Sequence, residues 1–381
     1  VGRLSVGERQ RVEITKALYR GARILILDEP TAVLTPQESE DLFAVLTRMV
    51  QQGLSIIFIS HKLAEVLRVA QRVAVLRGGK LVAQAAAQHT TQAQLAQWMV
   101  GHAVHAPQRH PARQTGGEVC AMQHISTAPA RERLHRVCLR LQAGEIVAIA
   151  GVSGNGQVAL AEVLCGTRRT THGTLQWQGQ PYPHQPAALV QRGIAHIPED
   201  RHGQGLIGDL PVWENAVSER LRSGLFSCWG WVRRRAARAY AQQLLARFDV
   251  RGAGIDSNAR LLSGGNMQKL IVGRALLHPL AAGNNRSHNP QLIIAHQPTW
   301  GLDIGAVAFV HKQLLAARDA GAAVLLISDD LDEVLALGDR VAVMHAGQLT
   351  ATRPAADWSR QQIGLAMAGA QELAALQEGA A

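Results

Sequence analysis

Continuous aliphatic runs alternate with stretches of helical periodicity along this chain, the pattern of a parallel sheet covered on both faces. Near the start, a helical stretch over residues 8–19 leads into ILIL (24–27), which predicts a buried strand. Thr35 as N-cap, Pro36 at the first helical position and Gly53 just past the end bracket a helix. A strand over 54–60, a helix from Lys62 and two short strands around Gly78 and Gly79 follow. Further on, strands are expected near 118–125, 136–141 and 145–150, the last running into the glycine-rich GVSGNGQV (151–158) and an apolar-periodic helix. Residues 102–116 (HAVHAPQRHPARQTG) are rich in Pro, His and Arg without periodicity and predict a linker. The Ala- and Glu-rich tail after Gly369 predicts a frayed helix.

The two ends of the chain repeat one another. LSVGERQRVEITKAL, from Leu4, is answered by LLSGGNMQKLIVGRAL, from Leu261, and ILILDEPTAVLT (24–35) by LIIAHQPTWGLD (292–303). IIFISHKLAEVLRVAQRVAVLRGGKL (56–81) is answered by VLLISDDLDEVLALGDRVAVMHAGQL (324–349). Asp28 to His61 spans 33 residues, as does His296 to Asp329; Ser5 to Asp28 spans 23, whereas Ser263 to His296 spans 33. The extra ten fall within HPLAAGNNRSHNP (278–290), whose Gly, Asn, Ser and Pro content predicts an inserted surface loop. The second copy has about 145 residues ahead of its LSGG segment where the first has three. The expected organisation is therefore an incomplete first module over 1–101, a linker over 102–116, and a second module over 117–381 carrying the insertion at 278–290.

A length of 381 residues suits two domains or a little more, and 47% apolar residues exclude a disordered chain. No apolar run approaches the roughly 20 residues of a membrane helix, and the charged start VGRLSVGERQRVEI does not read as a signal peptide. Four cysteines without CxxC spacing predict neither a disulfide framework nor a zinc site, so a soluble protein of a reducing compartment is expected. The net charge of +10 is diffuse except at Arg233, Arg234, Arg235 and Arg238. Charge alone is compatible with nucleic acid, anionic lipid or nucleotide phosphate.

Three segments carry phosphate chemistry. In ILILDEP an aliphatic strand ends in two carboxylates: Asp28 suits magnesium, and Glu29 suits the activation of an attacking water. GVSGNGQV matches the glycines of GxxxxGK[ST] at Gly151 and Gly156, with Gly154 between them. Gln157 stands where Lys should be, and Val158 where a metal-binding hydroxyl should be. LSGGNMQ (262–268) offers a hydroxyl and two glycines at an expected helix N-terminus, a place where backbone N–H groups can approach a phosphate.

Together these segments resemble the ATP-binding subunits of ABC transporters, of the type with two fused nucleotide-binding domains. LSVGERQ and LSGGNMQ resemble the ABC signature, ILILDEP the Walker B strand, AVLT and GLD the D-loops, and His61 the switch histidine. TAVLTPQE, LYRGA, GVSGNGQ, HIPEDRHGQGL and QPTWGLD resemble the branch that imports simple sugars and nucleosides, closest to the nucleoside, basic-membrane-lipoprotein-linked group. The resemblance implies tandem α/β P-loop NTPase domains, the first incomplete and N-terminally truncated.

It also implies ATP and Mg2+ as cofactors, two integral-membrane permease subunits and an extracytoplasmic substrate-binding protein as partners, and no nucleic acid. The expected location is the cytoplasmic face of the bacterial inner membrane, bound peripherally. One composite ATP site would combine Asp28 for magnesium, Glu29 as base and His61 toward the γ-phosphate with Ser263, Gly264, Gly265 and Gln268; its phosphate loop is not within these residues. The other would combine Gly151, Gly154, Gly156 and Gln157 with the signature that begins at Ser5 and includes Gly7. There Gln157 replaces Lys, His296 Asp, Gln297 Glu, Asp329 His and Val6 the first signature Gly, while Glu199 lies near the Q-loop position. That site is expected to be inactive, and the chain by itself to lack turnover.

Two readings compete with an importer subunit: a soluble tandem ABC ATPase and a non-functional remnant. A soluble tandem ABC ATPase acting on ribosomes or DNA generally keeps both sites competent and carries a long charged linker, neither of which is seen. Trp213, Trp229 and Trp231 interleave with Arg220, Arg222 and Arg233 to Arg238, which suits either a nucleic-acid face or packing plus docking on membrane subunits.

Overall fold

The structure, a computed structural model, describes residues 6–31, 34, 36–60, 62–77, 79–100, 115–130, 132–252, 254–277 and 290–369. The chain divides into two units, one of Val1–Ala106 with Gly301–Ala308 and one of Pro107–Trp300 with Phe309–Ala381. All but the last residue of the expected loop over 278–290, most of the linker and the tail after Gly369 lie outside the described residues.

In the first unit, helix α1 (Val6–Tyr19) precedes strand β1 (Ile24–Asp28), helix α2 (Pro36–Gln51) and strand β2 (Ser55–Ile59). Helix α3 (Leu63–Val69), strands β3 (Arg72–Arg77) and β4 (Lys80–Ala86) and helix α4 (Gln92–Val100) complete it. β1 and β2 pair in parallel, with Ile24 opposite Ser55 and Asp28 opposite Ile59. Leu25 and Leu27 pack with Ile14 of α1 and Leu42 and Leu46 of α2. The other face of the pair carries Ile24, Ile26, Ile57 and Ile59, exposed by 61%, 63%, 51% and 45%. An aliphatic run inside a parallel sheet is buried on both faces, whereas a half-sheet is expected to leave apolar faces such as 24–27 exposed, and here only one face is covered. A second small core gathers Val73, Val75 and Leu95 where the β3–β4 hairpin meets α4.

The second unit opens with strands β5 (Glu118–Thr127), β6 (Val137–Gln142) and β7 (Ile146–Ala150), then helix α5 (Gln157–Leu164). Strands β8 (Thr170–Trp177) and β9 (Gln180–Pro181), helix α6 (Pro186–Gln191) and strand β10 (Ile194–Ile197) follow. Next come helix α7 (Val212–Val217), a hairpin of β11 (Ser227–Cys228) and β12 (Trp231–Val232), and helices α8 (Arg234–Arg247) and α9 (Gly264–Leu276). The last stretch holds β13 (Leu292–His296), α10 (Ile304–Asp319), β14 (Ala323–Ser328), α11 (Leu331–Leu337), β15 (Arg340–His345), β16 (Gln348–Leu349), β17 (Arg353–Pro354) and α12 (Arg360–Met367). The main sheet runs β10-β13-β14-β7-β15-β16, parallel from β10 to β15, with β17 also on β15. An antiparallel sheet, β6-β5-β8-β9, shares one apolar core with it. Every residue of β7, β13 and β14 is buried, as an aliphatic strand inside a parallel sheet requires.

The repeat holds in three dimensions at a constant spacing: Ile24 maps to Leu292, and the β1–β2 register maps residue for residue onto that of β13 and β14. Helices α2 and α10 are each 16 residues long, and α3 and α11 each seven. The start of β7 is anchored by charge: Asp339 accepts the Ile146 N–H at 2.9 Å and pairs with Arg318, whose side chain is 1% exposed, at 3.1 Å. That anchorage fixes the strand leading into the glycine-rich loop.

Candidate nucleotide sites

In a parallel sheet, side chains beyond the carboxyl ends of neighbouring strands converge, and ligands bind there. In the second unit the ends of β10, β13, β14 and β7 deliver Glu199, His296 with Gln297, Asp329, and Gly151 to one edge. In the first unit the end of β1 delivers Asp28 and Glu29; His61, which follows β2 in the sequence, lies outside the described residues.

The turn after β1 has an unusual backbone. Glu29 sits at φ 47°, a left-handed conformation that costs a non-glycine residue on the order of 1–3 kcal/mol and tends to mark functional sites. Its counterpart Gln297 sits at φ 48°. The same bonds hold both. Glu29 donates its N–H to Ile59 O at 2.9 Å, and Gln297 donates to Ile327 O at 2.8 Å. The Thr31 hydroxyl donates to Glu65 at 2.5 Å, and the Thr299 hydroxyl to Glu333 at 2.8 Å, where His311 also lies 2.9 Å from the same oxygen. One scaffold therefore presents Asp28 and Glu29 in one copy and His296 and Gln297 in the other. These Thr–Glu ties were not singled out in the sequence, although the repeat places them at identical spacing.

The loop from β7 to α5 is built for close approach. Gly156, at φ 118°, caps α5 in the left-handed region, and a Cβ there would lie 3.1 Å from Arg133 O. At Gly151 a Cβ would meet Met344 O at 2.8 Å. Gly154 is also left-handed, at φ 95°. Gln157, only 3% exposed, turns back into the loop: its Oε1 accepts the Asn155 N–H at 2.9 Å, and its Nε2 donates to Val152 O at 2.8 Å. The Val158 N–H, at the helix start where an anion would bind, donates to the Glu132 carboxylate at 3.2 Å. Loop groups that could face phosphate are thus partly engaged by the chain's own amide and carboxylate. Glu132, 26 residues upstream in no motif, gave no sequence signal.

Charges around this loop are held down by burial. Burial lowers His296 to about 4, and His196 to about 4 with help from His296 and Arg274. Burial raises the Glu199 carboxyl above its usual range, helped by the Glu132 and Asp200 carboxylates. His296 Nε2 lies 3.5 Å from Glu199, and at neutral pH this is a contact of an uncharged imidazole, not an ion pair. Magnesium prefers oxygen donors, so an uncharged imidazole is a poor substitute for the aspartate.

A pH dependence follows. Between pH 6.5 and about 4 the unfolded chain binds protons at His196 and His296 that the folded chain does not. Stability from these residues is complete above pH 6.5 and is lost as pH falls toward 4. Glu199 acts in the opposite sense, since its raised pKa favours folding at low pH. A net loss on the order of 3 kcal/mol is expected. Urea unfolding at pH 7 and pH 5 measures it, and the loss should be smaller in His296→Gln; a midpoint unchanged at pH 5 would contradict this burial of neutral histidine.

The second signature lies at the start of α9, with Ser263 as N-cap in extended conformation and Gly264 and Gly265 opening the helix. The Ser263 hydroxyl accepts from Asn266 Nδ2 at 2.9 Å. Gln268, 2% exposed, spends its amide on Pro298 O at 2.7 Å, tying α9 to the turn after β13. Arg201, 7% exposed, reaches Gly264 O at 3.4 Å and also donates to Trp300 O. In the first unit, Gly7 lies in the first turn of α1, and Ser5 lies outside the described residues. Among the described residues no cluster of His, Cys, Asp and Glu could hold a metal ion unaided, and no helix is long and apolar enough to cross a membrane.

Comparison with known proteins agrees. The family model described as "ABC transporter" matches residues 1–32 and 134–280. The guanosine import ATP-binding protein NupO of Bacillus subtilis is 42% identical over 372 residues, covering 97% of this chain and 71% of NupO. The nucleoside import ATP-binding protein NupA of Lactococcus lactis is 39% identical over 369 residues, covering 96% of this chain and 71% of NupA. Among solved structures, a nucleotide-free ATP-binding cassette from an ABC transporter superposes with a TM-score of 0.52 at 22% identity, covering 68% of this chain and 98% of its own, a likeness of fold.

Proposed function

Since this chain belongs to the ABC transporter ATP-binding family, we propose that it is the energy-coupling ATPase subunit of an importer for nucleosides or simple sugars. It works on the cytoplasmic face of a bacterial inner membrane, with two integral-membrane permease subunits and an extracytoplasmic substrate-binding protein. The division into residues 1–101, a linker over 102–116 and 117–381 belongs to this reading. The observation that carries it is the pair of matched left-handed turns, Asp28-Glu29 and His296-Gln297, on one repeated scaffold.

Asp28 is an exposed carboxylate at a strand end, an oxygen donor that fits magnesium. Magnesium, when bound with ATP, neutralises charge on the phosphates. Glu29 accepts a proton from the attacking water, and His61 orients toward the γ-phosphate. Ser263, Gly264 and Gly265 serve ATP through hydroxyl and backbone, and Gln268 holds their helix to the neighbouring turn. In the other copy, at the loop of Gly151, Gly154, Gly156 and Gln157, Gln157 stands for the phosphate-binding lysine, His296 for the magnesium aspartate and Gln297 for the base, and Ser5 and Gly7 belong to the first copy's signature. Turnover therefore rests on Glu29, and the 381 residues by themselves, which contain no GxxxxGK[ST], do not turn over.

Restoring one charge tests the second site. Gln157→Lys should tighten ATP binding roughly tenfold or more, the worth of a charge-assisted hydrogen bond, with no gain in hydrolysis while Gln297 remains. Isothermal titration and phosphate release read the two effects separately, and hydrolysis by this variant alone would sink the assignment. The importer reading is tested by reconstitution with a permease from the same system. ATPase activity should rise with the binding protein loaded with a nucleoside or simple sugar, whereas stimulation by ribosomes or DNA instead would favour a soluble tandem ATPase.

A further inference from the structure

Two features of the second unit work against its own stability and lie side by side. The β11–β12 hairpin pairs Ser227 with Val232 and Cys228 with Trp231, so its turn is Trp229-Gly230. Both turn residues are left-handed, at φ 51° and 83°. Such turns favour Asn, Asp or Gly, and a bulky aromatic at the first position is strained. Trp229 is nonetheless there, 96% exposed, beside Trp231 at 81% and Val232 at 38%. Immediately afterwards α8 begins with Arg233 as N-cap, then Arg234 and Arg235, and with no acid in its first turn. Cations at a helix N-terminus oppose the helix dipole. Neither feature improves folding, so both point to something outside this chain.

The charge is one-sided. No Asp or Glu occurs from residue 220 to 248, a stretch holding seven arginines. Two of these are committed: Arg238 to Asp256 at 2.6 and 2.5 Å, and Arg220 to the carbonyls of Arg274 and Leu277 at 2.8 and 3.0 Å. Arg222, Arg233, Arg234 and Arg235 are exposed, and among the described residues none of them forms an ion pair. Exposed tryptophans flanked by unpaired arginines match one chemistry closely. Indole rings settle at the headgroup level of a bilayer, and arginines are drawn to anionic lipid. A protein partner would meet the same residue types, since interface hot spots are rich in Trp and Arg, and it is the outcome that vesicle binding separates from a lipid surface.

We propose that the Trp229–Trp231 hairpin tip, with Arg222 and Arg233–Arg235, is a contact site for the surface of an anionic phospholipid bilayer. The tip inserts its two indoles at headgroup depth while the arginines meet lipid phosphates, so the subunit holds the membrane directly. This goes beyond the importer reading and needs neither nucleotide nor permease; its failure would leave that reading intact.

The test is binding of the 381-residue chain to vesicles of phosphatidylcholine with 30% phosphatidylglycerol, followed by cosedimentation and tryptophan emission. Binding should be at least tenfold tighter than to pure phosphatidylcholine, weaken as salt rises, and shift tryptophan emission to the blue. Trp229→Asn with Trp231→Ser should abolish the blue shift and weaken binding about tenfold. Its melting temperature should be unchanged or higher, since Asn suits the left-handed position. Arg233→Ser, Arg234→Ser and Arg235→Ser together should remove most of the preference for anionic lipid. Because the chain as a whole is basic, the variants decide the matter. No binding by the wild type, as for a hairpin that serves a protein partner, would overturn the proposal, and so would double-tryptophan and triple-arginine variants that bind like the wild type.

Discussion

Joined to an N-terminal segment carrying an intact GxxxxGK[ST] loop, the chain is expected to hydrolyse ATP with magnesium, and Glu29→Gln to lower that turnover by roughly 10²–10⁴-fold. Glu29 occupies a strained left-handed position at the end of β1, and the equivalent residue of the second copy is Gln297, which has no proton-accepting carboxylate. Glu29→Gln should leave ATP bound and trapped, because the amide keeps the shape of the turn and removes only the base. Gln297→Ala should change turnover by no more than about twofold, since it removes no group acting in the transition state. Steady-state phosphate release for the two variants, measured side by side, checks both expectations.

The second large effect concerns stability. Ile294→Ala should cost on the order of 2–5 kcal/mol, as large-to-small changes in a closed core do. Ile26→Ala, the same substitution at the matched position of the first copy, should stay within about 0.5 kcal/mol, the range of surface changes. Ile294 is fully buried between β10 and β14, whereas Ile26 is 63% exposed on the open face of a two-stranded sheet. Urea unfolding of the two variants separates them; equal costs would mean that the face bearing Ile24, Ile26, Ile57 and Ile59 is covered in solution. That face is a contiguous apolar patch of the kind soluble proteins rarely leave bare.

The helix and strand positions in both copies were legible because punctuation and periodicity agree locally. Pro36 opens α2 as expected, and Gly53 lies just past its end, at φ 94°. The equal spacing from Asp28 to His61 and from His296 to Asp329 reappears as an identical strand register. What stayed hidden depends on chain brought in from elsewhere. Glu132 on the Val158 N–H, His196 next to His296, and Arg201 on Gly264 O are set by the strand order of the sheet, which local pattern does not encode. Gln157 was legible as a missing lysine, but its folding back onto Asn155 and Val152 was not, because that needs the loop's own geometry. Trp229 could be seen in a tryptophan- and arginine-rich stretch; only the backbone shows that it holds a glycine-like position.

The central claim is that hydrolytic chemistry belongs to Glu29 and its partners, and that the glycine-rich loop at Gly151–Gly156 supports none. Magnesium-dependent ATP hydrolysis by the purified 381-residue chain tests this most directly, with the Glu29→Gln chain measured alongside. The account predicts no turnover above background in either. Magnesium-dependent turnover by the chain alone, undiminished by Glu29→Gln, would place the active site in the second unit and contradict it.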